Sequence, residues 1–89
     1  MSIATNNGLM DVYAKLLELE RKIEEAKESA RYRPEYKGFD FTIYLRGIKP
    51  LLEDLRASEE YLKNDTFKQM LDIQANRCEN HLRKSGFHV

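Results

Sequence analysis

Leu9, Val12, Leu16, Leu19, Ile23, Ala26 and Ala30 recur at alternating steps of three and four, which on a helix sets all seven along one heptad seam of the coiled-coil kind. Met10, Tyr13 and Leu17 widen that seam over its first half. The pattern predicts a helix over about residues 8–31, with its first half buried deeply and the Ala26 to Ala30 end less so. Residues 1–7 are small and polar without periodicity, which predicts a mobile tail ending where Asn6 or Asn7 caps the helix. Pro34 stops the helix, because proline disfavours helical geometry at Arg33 and donates no amide proton.

The next segment carries two patterns at once. Phe39, Phe41, Ile43 and Leu45 alternate with Asp40, Thr42, Tyr44 and Arg46 as in a strand. Capped by Asp40 and read as a helix, the same region gives Phe41, Leu45, Ile48, Leu52, Leu55 and Leu62 at steps of four and three, interrupted only at Glu59. A lone strand would have no partner in this chain, so the reading is a helix over about residues 41–63. It is kinked or split near Gly47 to Pro50, because Pro50 removes a hydrogen bond and presses on the carbonyl of Arg46. Asn64, Asp65 and Thr66 make a polar break with Asp65 as the expected cap. A third helix follows over about residues 66–84, with Phe67, Met70, Leu71, Gln74, Cys78 and Leu82 on one face and Gly86 as its stop. The fold class is therefore all-α: a single domain forming a small antiparallel three-helix bundle in up-down-up order.

Composition narrows the function classes. Fifteen basic and fifteen acidic residues balance to zero formal charge, so no global field draws nucleic acid or a membrane. A single cysteine rules out an internal disulfide framework and fits a reducing compartment. No apolar run is long enough to span a bilayer, and the first eight residues lack the basic start and apolar segment of a secretory signal; the expectation is a cytoplasmic protein.

Candidate chemistry is sparse. Glu24, Glu25 and Glu28 spell EExxE, which resembles the first half of the metal-binding motif of the all-helical MazG-type nucleotide pyrophosphohydrolases. That resemblance implies Mg-dependent hydrolysis and calls for an ExxD motif on a following helix. Glu53, Glu59 and Glu60 are instead followed three positions later by Arg56, Leu62 and Lys63, and the seam turns the EExxE carboxylates outward. They read as a solvated charged face, with Glu18–Lys22 and Arg21–Glu25 as surface pairs. Cys78 and His81 could share a metal with His88, but a structural zinc site needs four ligands, and Cys78 falls in an apolar stripe where a free thiol acts as a small hydrophobe. Tyr13, Tyr44 and Tyr61 read as covers for the core edge. The reading is a protein with no cofactor, no metal and no catalysis.

The up-down-up order brings the ends of the first and third helices to one pole. Arg31, Tyr32, Arg33, Tyr36, Lys37 and Phe39 then lie near Arg83, Lys84 and His88. Basic residues in a last helical turn complement the free carbonyls there, but Arg33, Tyr36 and Lys37 sit in the loop and are not explained that way. Tyr and Arg dominate interface energies. The functional expectation is a small helical protein–protein interaction module, of adaptor or inhibitor type, using this basic, aromatic pole. Its partner is a protein, with homodimerisation through incompletely covered seams as one form. The alternative is nucleic-acid or anion binding by the same pole.

Overall fold

The computed structural model describes the backbone of residues 3–88 and the side chains of residues 10–88. Helix α1 spans Ile3–Arg31. It therefore begins five residues before the predicted start at Gly8, so residues 3–7 are helical and not a tail. No proline interrupts Ala4 to Asn7, and each such polar residue weakens a helix by only ~0.5 kcal/mol, so the long helix propagates through them. The side chains of Leu9 and of the expected caps Asn6 and Asn7 lie outside those described.

After α1 the chain makes a 3₁₀ turn at Pro34–Tyr36, with Lys37 (φ 55°) and Gly38 (φ 100°) left-handed behind it. It then enters α2 (Phe41–Ile43), a π turn (Tyr44–Ile48) and α3 (Lys49–Arg56). Two short connections lead through α4 (Glu59–Lys63) to α5 (Asp65–Lys84). The described residues contain no strand. The alternation from Phe39 to Leu45 is resolved as loop up to the cap and helix from Phe41: Asp40 Oδ1 accepts from the amides of Thr42 and Ile43 at 3.0 and 3.3 Å, as a helix cap does.

Register marks give the topology. Lys15 meets Asp54, Lys22 lies over Gly47, and the Asp40 amide donates to the Ala26 carbonyl, so α2 and α3 run antiparallel to α1. Tyr13 meets Phe67, Glu20 meets Gln74 and Glu24 meets Arg77, so α5 runs parallel to α1. This is the antiparallel three-helix bundle in up-down-up order. It is elongated, 51 × 20 × 16 Å, as the roughly 43 Å length of α1 requires.

The core holds Leu16, Leu19, Ile23 and Ala26 of α1, Ile48, Leu52 and Leu55, Phe67, Leu71, Ala75, Cys78 and Leu82 of α5, and Phe39 from the loop. Three expectations are corrected. The Ala26–Ala30 end is as buried as the rest, because alanine lets the loop close directly onto α1. Met10 and Leu17, by contrast, stay exposed. Leu45 and Leu62 also fall outside the core, at 46% and 73% exposure. The π turn explains Leu45: the Lys49 amide donates five residues back to Tyr44, and this extra residue rotates Leu45 outward while making room for the Pro50 ring. Leu62 is lost because the second helix ends at Arg56 and not at residue 63; Ser58 then caps α4, accepting from the Tyr61 amide.

On α5 the cap is Asn64 and not Asp65, with its side-chain oxygen accepting from Phe67. Met70 is partly exposed and Ala75 takes the buried place. Gly86 (φ 92°) ends α5 as expected: the Phe87 amide donates to Leu82 and the Gly86 amide to Arg83, closing a Schellman motif.

Candidate interaction surface

The loop after α1 meets the end of α5, with Phe39 against His81 and Gly38 beside Ser85, but the residues exposed at this pole differ from expectation. Phe39 is fully buried and stacks on His81 with ring centroids 5.6 Å apart. It is a core residue and drops out of the proposed surface. Glycine at 38 and the short 3₁₀ turn fold the loop back so that Phe39 points inward. The stacking partner His81 is half-buried, and its pKa is lowered, first by desolvation and then by Lys27, Lys84 and Arg77, with Glu24 opposing.

The remaining pole residues are at the surface. Arg31 is 3.5 Å from Glu28, whose carboxylate also accepts from the Tyr32 hydroxyl at 3.4 Å. The Arg33 guanidinium lies 5.7 Å from the centroid of the half-buried Tyr36 ring. Arg83 bonds Asn80 and approaches Glu79 at 3.9 Å. Lys37 and Lys84 are exposed. Glu28 and Glu79 thus offset part of the positive charge, and the pole is more nearly neutral than its basic residues alone suggest.

Two of the three EExxE carboxylates are likewise engaged. Glu24 holds Lys27 at 3.4 Å and Arg77 at 3.2 Å, and Glu28 holds Arg31. Among the described residues no three His, Cys, Asp or Glu side chains converge as metal ligands do. Cys78 is buried, and desolvation, followed by Glu79, pushes its thiol up to about 12; a thiol held protonated is a poor nucleophile. The three tyrosines cover the core edge. Tyr13 meets Phe67 edge-on at 5.2 Å, Tyr44 stacks near Phe41 at 5.7 Å, and the Tyr61 hydroxyl donates to Asp72 at 2.9 Å. Burial raises the Tyr44 pKa, with smaller contributions from Cys78 and Glu79.

The most distinctive surface lies elsewhere. Met10 and Leu17 of α1 are 68% and 67% exposed, and Met70 and Ile73 of α5 are 39% and 58% exposed. Helical spacing puts Met10, Tyr13 and Leu17 on one flank of α1 and Met70 and Ile73 on the flank of α5 beside it. The register marks Tyr13–Phe67 and Glu20–Gln74 set Leu17 about level with Met70, so the four exposed apolar residues lie on neighbouring flanks of two parallel helices. Beyond them the seam between the helices becomes polar, through Glu20–Gln74 and Glu24–Arg77. The sequence signal was present in the extra width of the α1 seam. What it did not reveal is that α5 flanks these residues without covering them. Comparison with family models, curated proteins and solved structures finds no match for this chain.

Proposed function

We propose that this protein is a small helical protein–protein interaction module, of adaptor or inhibitor type, which works by presenting a surface and carries out no catalysis. The apolar face of Met10, Leu17, Met70 and Ile73 carries this reading. It offers on the order of 400 Å² of apolar surface, the size of the largest apolar patch on a typical soluble monomer, which is often functional. A standard interface removes about 800 Å² per partner, somewhat more than half of it apolar, so this one face supplies the apolar part of such a contact. The occupant the reading commits to is a second copy of the chain, since a two-fold pairing covers both faces in one step. No described helix is long and apolar enough to cross a membrane, and a cytoplasmic setting is part of the proposal.

Light scattering over a concentration series tests it: a mass of two chains in wild type and of one chain in a Leu17→Glu, Ile73→Glu variant supports the face, whereas identical masses overturn it. A second reading, nucleic-acid or anion binding by the pole, is favoured by the exposed Tyr32 beside Arg33 and Lys37. It predicts affinity that falls steeply with salt and drops further in Arg33→Ala, Lys37→Ala.

A further inference from the structure

We propose that the groove between α1 and the π turn is a binding site for a phosphoryl group. The groove, about 300 Å³, is lined by Lys22, Glu25, Thr42, Ile43, Arg46 and Gly47. Lys22 was expected to pair with Glu18 along α1, but Glu18 instead meets Arg21 at 3.6 Å. Lys22 leans across to the second helix, where a Cβ on residue 47 would lie 2.8 Å from its Cδ and 3.6 Å from its Nζ. Any side chain at 47 would make the Lys22 chain shift from that path. The ammonium is thereby laid over the backbone next to Arg46, and two cations from different helices face one groove.

Neither cation is spent on the fold. Among the described residues the side chains of Lys22 and Arg46 make no ion pair or hydrogen bond, as is also so for the outlying Lys37, Lys49, Arg56 and Lys84, whereas Lys15, Arg21, Lys27, Arg31, Lys63 and Arg77 have carboxylate partners. The exposed Thr42 hydroxyl adds a donor, and Ile43 gives an apolar wall. An ammonium and a guanidinium lining one groove suit the spread charge of a phosphoryl group, the guanidinium able to donate two parallel hydrogen bonds. Glu25, which also lines the groove, opposes an anion and keeps wild-type binding weak. The amides of Thr42 and Ile43 take no part, because Asp40 already occupies them.

Amide-resolved NMR titration with inorganic phosphate and, separately, O-phosphoserine tests the site. Saturable shifts centred on Thr42, Arg46 and Gly47 are expected. Lys22→Gln and Arg46→Gln each weaken binding by about tenfold, in keeping with one charge-assisted contact, and Glu25→Gln tightens it. Gly47→Ala, which keeps the helix, displaces Lys22 and also weakens binding. Tighter binding of O-phosphoserine would identify a phosphorylated side chain as the source of the group; equal binding would identify a free phosphate compound; both uphold the site. Shifts that do not saturate, or that gather at Arg33, Lys37 and Lys84, overturn it. The site does not depend on the α1–α5 face, so Leu17→Glu, Ile73→Glu leaves phosphate binding unchanged whatever the oligomeric state.

Discussion

Asp40 joins three parts of the chain through one side chain and one amide. Its carboxylate caps α2 and accepts from Ser29 Oγ at 2.7 Å, and its backbone N–H reaches the Ala26 carbonyl. Asp40→Ala leaves three donors without their acceptor in a nearly closed site and is expected to cost ~1–3 kcal/mol in denaturant unfolding, with Asp40→Asn closer to wild type. His81 makes stability depend on pH. Its folded pKa lies below the ordinary 6.5, so the unfolded chain binds more protons; stability is full above pH 6.5 and is lost as pH falls through the lowered value. His81→Gln should flatten the unfolding midpoint between neutral and mildly acid pH. The capping role of Asp40 was legible, since an acidic residue stands just before a helical repeat. The burial of Phe39 was not, because a loop residue belongs to no periodic face and only the fold-back of Lys37 and Gly38 turns it inward.

Between α2 and α3, Pro50 is accommodated by widening one turn of a helix that otherwise continues. The π turn shifts the face by one residue, so Ile48, Leu52 and Leu55 are buried while Leu45 turns to solvent. Ile48→Ala and Leu52→Ala should each cost ~2–5 kcal/mol in denaturant unfolding, whereas Leu45→Ala and Leu62→Ala should stay within about 1 kcal/mol. Equal losses at Leu45 and Leu52 would mean that the helix is regular. The seam of α1 was readable from Leu16 to Ala30 because a long unbroken helix keeps one period. The second helix was readable only in part, since an added residue breaks the period without a composition signal beyond Gly47 and Pro50. Its end at Arg56 had a clue in Ser58 before Glu59 and Glu60, a cap followed by acidic first-turn residues, but Leu62 falling on the same repeat masked it.

Across the whole molecule, three helices in up-down-up order bury one core and leave one flank of α1 and α5 without a covering layer. The order followed from connection lengths and caps, and the pole where α1 and α5 end together followed from the order. Which flank of a wide seam stays bare did not follow, because it depends on the side-by-side register of two helices distant in sequence. That bare flank is the basis for reading the protein as an interaction module. Molar mass by light scattering across a concentration series, for wild type and for Leu17→Glu, Ile73→Glu, tests this most directly, with thermal unfolding as a check that both are folded. The account predicts two chains for wild type and one for the variant at unchanged helicity; a single-chain mass for both at high micromolar concentration would contradict it.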